Sequence, residues 1–217
     1  MMENKIASWQ QYQALYLHIP FAYRNACTAI CFLCRFGEQA KRDYTDAVCK
    51  EIALRADEAA DMAANASIIL AADAERAATE CIAKLVNALK WYGFWQQPCE
   101  ATIEVNPGTA DLAKLQTLRQ LGFDRISFGV QSLQNNELQA IGRIHNAQQA
   151  LEALTLARKA GFARVSADLI YGLPSQTLTS LQDTLERLTD TGIEHISVYG
   201  LIVEDGTPLA SLVDKAE

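Results

Sequence analysis

No long apolar run interrupts this chain. Its most apolar alanine-rich segment, around Ala59–Ala72, is broken by Asp61 and Asn65, and nothing reaches the roughly 20 residues that a bilayer-spanning helix needs. The opening Met1-Met2-Glu3-Asn4-Lys5 lacks the apolar stretch of a signal peptide. Basic charge is also in deficit: 19 Lys and Arg stand against 26 Asp and Glu, for a net charge of -7 and a pI near 5.0. A nucleic-acid partner is therefore not expected, because binding phosphate needs clustered Lys and Arg. Only three histidines occur. Neither His18 nor His145 has a second His or carboxylate at ligand spacing, so no histidine metal site is expected. Nor is there a low-complexity linker to separate a second domain. These absences leave one domain, residues 1–217, expected to be cytoplasmic, with no transmembrane segment.

What the chain does contain is ordinary globular material, 50% apolar and 21% charged, long enough for a sizeable core. Short β-rich segments alternate with helical ones. The candidate strands are Leu15–His18, Ser67–Leu70, Ala101–Val105, Arg125–Gly129, Arg164–Ile170 and Glu194–Leu201. Between them, Asp111–Leu121 places Leu112, Leu115 and Leu118 on one helical face, and Gln148–Lys159 and Leu178–Thr189 read the same way. Gly122 and Gly161 follow such segments as C-terminal stops. Ala71–Leu89 reads as an outer helix, alanine being the best helix former. Six β-α units in series predict an α/β fold with a parallel sheet and external helices, short of the eight strands of a closed barrel. In that architecture ligands gather at the C-terminal strand ends.

Six cysteines in a chain of this kind favour thiols or metal ligands over disulfides. Cys49, Cys81 and Cys99 are expected in helix or strand packing. Cys27, Cys31 and Cys34 are different. Their spacing, Cys-x-x-x-Cys-x-x-Cys on one short loop, lets three thiolates converge on three irons of a [4Fe-4S] cluster and leaves the fourth open. At the expected strand ends, and in the helical segment after the fourth, stand polar groups of varied chemistry. Arg143, in that helical segment, has a planar fork suited to a carboxylate. Glu104 and Asp168 accept from hydroxyls or an ammonium, and Gln131 both donates and accepts.

Those residues lie in segments that carry a resemblance: Leu15 to Phe21 (LYLHIPF), Ile103 to Thr109 (IEVNPGT), Ser127 to Ser132 (SFGVQS), Gly142 to His145 (GRIH), Asp168 to Pro174 (DLIYGLP), and Glu204 to Leu209 after Tyr199. In this order they resemble the radical S-adenosylmethionine (SAM) superfamily, in particular the HemW-type haem chaperones and their relatives, the oxygen-independent coproporphyrinogen III oxidases. The resemblance implies a partial (β/α)6 TIM-like barrel as a single domain, without the C-terminal domain such proteins usually have. It implies a [4Fe-4S] cluster held by Cys27, Cys31 and Cys34, and SAM held by Tyr16, Glu104, Gln131, Arg143 and Asp168. A HemW-type protein would hold haem or porphyrin and pass haem to an acceptor protein. An oxidase would instead cleave SAM reductively to abstract hydrogen from a porphyrinogen propionate.

Two departures from the family pattern keep a third possibility open. The first family cysteine directly follows His-Ile-Pro-Phe, where this chain has Ala22, and the family ends strand two with Gly-Gly-Gly-Thr-Pro, where this chain has Ala71-Ala72-Asp73-Ala74-Glu75. Local frameshifts would account for both. If Phe21, Asn25 and Thr28 use codons ending in T, reading across Phe21/Ala22, Asn25/Ala26 and Thr28/Ala29 gives three cysteines at family spacing, and the same shift across Leu70 to Asp73 can give three glycines. An inactive, frameshifted or degenerate member without cluster is then the alternative to chaperone and oxidase.

Overall fold

The computed structural model describes residues 12–19, 37–72, 79–203, 205 and 207–213. Among them six strands form one sheet in the order β1-β2-β3-β4-β5-β6, and every neighbouring pair is parallel. The strands are β1 Tyr12–Ile19, β2 Met62–Ala72, β3 Glu100–Val105, β4 Arg125–Gln131, β5 Arg164–Tyr171 and β6 His195–Gly200. Helices α1 (Glu38–Leu54), α2 (Thr79–Trp91), α3 (Leu112–Leu121), α4 (Asn135–Ala140), α5 (Ala147–Lys159), α6 (Leu178–Asp190) and α7 (Pro208–Val213) fall between and after them. Sequential strands are therefore always spatial neighbours, which is the (β/α)6 arrangement expected from the alternation of strand and helix patterns.

All six expected strands are present, the first five longer by one or more residues and the sixth shorter by one at each end. The tract Ala71–Leu89 is not one helix. Ala71 and Ala72 belong to β2, paired with His18 and Ile19, and the described helix α2 covers Thr79–Trp91. Pairing on both sides of a central strand outweighs the helix preference of alanine. In α3, Leu115 and Leu118 are fully buried, while Leu112 at its first turn is 37% exposed.

Strand alternation sorts the side chains. On the helix side, Ile68, Leu70, Ile103, Ile126, Phe128, Val165 and Leu169 meet Leu85, Leu89, Leu115, Leu118 and Leu154 in one core. Each such aliphatic side chain contributes roughly 1.5–3 kcal/mol by leaving water. The opposite face is polar. His18, Ala71, Glu104, Ser127, Ser166 and His195 follow one another in register from β1 to β6.

Near the N-terminal strand ends an ionic floor ties β3, β4 and β5 together. Glu100 accepts from Thr102 Oγ1 at 3.1 Å and pairs with Arg125 at 3.3 Å and Arg164 at 2.9 Å. Arg164 also pairs with Asp124, whose Oδ1 accepts from the Ala101 amide at 2.7 Å. Cys99 precedes this floor. Contrary to expectation it is exposed, with its Sγ 3.5 Å from Ser67 Oγ.

Helix starts follow capping rules. Asp111 Oδ1 accepts from the Lys114 amide at 2.8 Å, and Asn146 and Thr177 open α5 and α6 with reciprocal capping boxes. Gly122 ends α3 with φ 115°, a left-handed conformation that glycine adopts freely.

Candidate functional site

Parallel strands place all their C-terminal ends on one rim, and the polar face of the sheet leads up to it. Just below the rim, Ser127 on β4 donates to Asp168 Oδ2 on β5 at 3.1 Å. Ser166 Oγ lies 2.9 Å from Ser127 Oγ, and Arg125 donates to Ser166 at 3.2 Å. A hydrogen-bonded ladder thus climbs from the ionic floor to the Asp168 carboxylate. This holds Asp168 in place and leaves its other oxygen available for a further donor.

Glu104 stands beside this ladder, in register with Ser127 on one side and Ala71 on the other. Water reaches it from the open rim, yet its surroundings push its pKa up. Burial does most of this and the charge of Asp168 adds to it, while His18 and Arg125 pull the other way. Two carboxylates influencing each other at the rim make a site suited to a cation or to hydroxyl donors. Tyr16 belongs to the same group. Its phenol is raised by partial burial and then by the charge of Glu104, and its hydroxyl lies 3.2 Å from His18 Nδ1. The Tyr16 and His18 rings are nearly parallel, at 17° with centroids 6.2 Å apart. The Tyr44 hydroxyl of α1 donates to the His18 carbonyl at 2.7 Å, anchoring that end of β1.

Gln131 and Arg143 meet over Gly129. A β-carbon at Gly129 would lie 2.8 Å from an Arg143 guanidinium nitrogen and 3.0 Å from Gln131 Nε2, so a larger residue there would push these two side-chain ends aside. Arg143 Nη2 donates to the Gly129 carbonyl at 2.8 Å. The five expected SAM residues therefore fall into two groups on one rim: Tyr16, Glu104 and Asp168 linked through their charges, and Gln131 and Arg143 both reaching over Gly129. Cys27, Cys31 and Cys34 lie outside the described residues. Among the described residues, no group of three or more His, Cys, Asp or Glu side chains is arranged to hold a metal ion.

The chain compares clearly with known proteins. The model of the Radical SAM superfamily matches residues 23–188. This chain belongs to the radical SAM superfamily. Among curated relatives it is 30% identical to the Heme chaperone HemW of Bacillus subtilis over 209 residues, covering 94% of this chain and 54% of that protein. It is 31% identical to the HemW of Haemophilus influenzae over 207 residues, covering 91% and 53%. Among solved structures it matches the coproporphyrinogen III oxidase (HemN) of Escherichia coli, described as a radical SAM enzyme, with a TM-score of 0.78 and 25% identity over 96% of this chain and 53% of that one. The chain thus spans about half the length of the curated relatives it matches.

Radical SAM membership implies SAM and a [4Fe-4S] cluster. The rim fits SAM's polar groups: a guanidinium for its carboxylate, and acids for its ammonium and ribose hydroxyls. One feature fits less well. Ala71 is buried and in register with His18 and Glu104, so its methyl stands where the family pattern has a glycine.

Three contributors were not among the expected site residues: Ser127 and Gly129, although both lie within the Ser127 to Ser132 motif, and Glu137. For the first two a further signal existed. Arg125, Ser127, Gly129 and Gln131 alternate along β4, which marks one strand face as small and polar.

Proposed function

We propose that this chain is the SAM- and [4Fe-4S]-binding core of a HemW-like haem-handling protein. The observation that carries the reading is the convergence of Glu104, Asp168, Gln131 and Arg143 on one rim, in a chain that resembles HemW along nearly its whole length. Arg143 grips the SAM carboxylate with its fork. Glu104 and Asp168 accept from the ammonium or ribose hydroxyls, Gln131 exchanges hydrogen bonds with the nucleoside, and Tyr16 borders the site on β1. Two adjacent carboxylates also attract a ligand that carries a sulfonium and an ammonium. Cys27, Cys31 and Cys34 hold the cluster, which when bound supplies an electron and an open iron coordination site. Haem or a porphyrin is the cargo, a haem-accepting protein the partner, and the cytoplasm the setting.

The position of Ala71 favours a second reading, a family member that keeps the fold and rim but binds no cofactor. Anaerobic reconstitution separates the two. Under the first reading, wild-type protein takes up about four irons and four sulfides per chain with broad absorbance near ~400 nm, and Cys27→Ala loses them. It also binds S-adenosylhomocysteine in a calorimeter, and Arg143→Ala weakens that binding by about tenfold or more. Protein that stays colourless and binds no nucleoside supports the second reading.

A further inference from the structure

The end of β4 departs from strand geometry in a way the ligand-facing residues alone do not explain. Gln131 has φ 67°, and the Ser132 amide donates across it to the Val130 carbonyl at 2.8 Å. This is a three-residue turn with its central residue at positive φ, a rare and strained form for a side chain larger than glycine. The β4–β5 register slips at the same place, between Phe128 and Gln131. Such strain persists only where neighbouring groups over-determine it.

Two buried groups do so here. His145, 3% exposed, places Nε2 3.0 Å from the same Val130 carbonyl. Because a carbonyl only accepts, Nε2 must carry the proton. Burial lowers the ring's pKa to about 4, with Arg143 adding to the shift and the Val130 bond opposing it, so His145 is neutral at pH 7. Among the described residues its Nδ1 is buried with no hydrogen-bond partner, which marks the ring as held for its other nitrogen. Glu137 is fully buried and accepts from Ser132 Oγ at 2.6 Å, from Ser180 Oγ at 2.5 Å and from Gln176 Nε2 at 3.2 Å. Ser132 Oγ in turn accepts from the Gln134 amide at 2.9 Å, and Gln176 reaches back to the Ile170 carbonyl at 3.2 Å. One carboxylate therefore joins the turn at Ser132, the loop after β5 and the first turn of α6. Burying a carboxyl group is costly for the fold unless its oxygens are hydrogen-bonded, and here three donors meet it. Glu137 lies on α4, and the Arg143 amide closes the end of α4 by donating to the Leu138 carbonyl at 2.9 Å.

We propose that Glu137 and His145 are positioning residues that hold the strained turn at Gln131, and through it fix Gln131 and Arg143 over Gly129 at the rim. Its ligand consequence rests on the SAM reading above; the turn itself does not.

A double-mutant cycle on the full chain tests the turn. Gln131→Gly removes the strain and raises Tm by about 2–4 °C. His145→Ala lowers Tm, and lowers it by at least about 2 °C less in the Gln131→Gly background, since a relaxed turn needs less holding. Glu137→Gln, which keeps the volume but loses an acceptor, shows the same coupling. Costs that simply add would overturn the proposal. A second measurement separates positioning from bulk stability. S-adenosylhomocysteine affinity falls about tenfold in His145→Ala and recovers in His145→Gln, whose Nε2 restores the donor. An unchanged affinity in His145→Ala would also overturn it. If wild type binds no S-adenosylhomocysteine, the SAM reading fails, and the Tm cycle alone decides the turn.

Discussion

Glu104 shows how a single residue at the rim trades stability for chemistry. Its folded pKa is raised, by burial first and by Asp168 second, so the folded state binds that proton more tightly than the unfolded chain does. Stability therefore declines as pH rises from the ordinary carboxylate range through the raised folded value, and the loss is complete above it. Glu104→Gln removes the charge. We expect its Tm to exceed wild type at pH 7 and the difference to vanish below about pH 4, as read by thermal denaturation across pH. A variant less stable than wild type at pH 7 would mean that His18 and Arg125 more than offset the burial of the carboxylate. The motif at Ile103 to Thr109 was enough to single out Glu104, because a carboxylate at a strand end is chemically distinctive. Its pairing with Asp168 was not legible, since that depends on where two strands separated by β4 bring their ends.

Helix ends show what local sequence decides and what it does not. Asn146 caps α5 by accepting from the Gln149 amide at 2.9 Å, and Gln149 answers by accepting from the Asn146 amide at 2.9 Å. Both residues face water, so Asn146→Ala should cost only about 1 kcal/mol in chemical denaturation. The equivalent box of α6 looks identical in sequence logic, with Thr177 and Ser180 in reciprocal contact at 3.1 and 3.0 Å. Here, however, Ser180 also donates to the buried Glu137. Ser180→Ala should therefore cost about 2–3 kcal/mol, because a buried carboxylate loses a donor as well as the helix losing a cap contact. Equal costs for the two variants would show that the Glu137 network has little energetic weight. Element type was readable wherever periodicity and caps agreed, as in Leu112–Leu121 and Ala147–Lys159. It failed at Ala71 and Ala72, where an alanine-rich tract carries no β signal of its own and pairing partners far away in the chain decide.

At the scale of the molecule, stability should follow position in the sheet. β3, β4 and β5 are flanked on both sides, floored by the Glu100–Arg125–Arg164–Asp124 cluster, and backed by side chains at or near full burial. β1 and β6 are the two edges, and β6 exposes Val198 and Tyr199 at 49% and 57%. Hydrogen exchange should be slowest in Ile103, Ile126, Phe128 and Val165 and fastest in β6, in two or more cooperative steps. Uniform protection across the sheet would contradict this ordering.

The sequence by itself determined the order of six strands, the helices α3, α5 and α6, the superfamily, and the polar residues offered at several strand ends, because hydrophobic period, turn residues and motif chemistry are local properties. Only the tertiary structure decided how those residues group. Glu104 and Asp168 influence each other across β4, Gln131 and Arg143 meet above Gly129, and Glu137 draws together segments up to 43 residues apart. Such contacts arise from strand register and loop packing, which sum many weak preferences over the whole chain. No single stretch of residues encodes them.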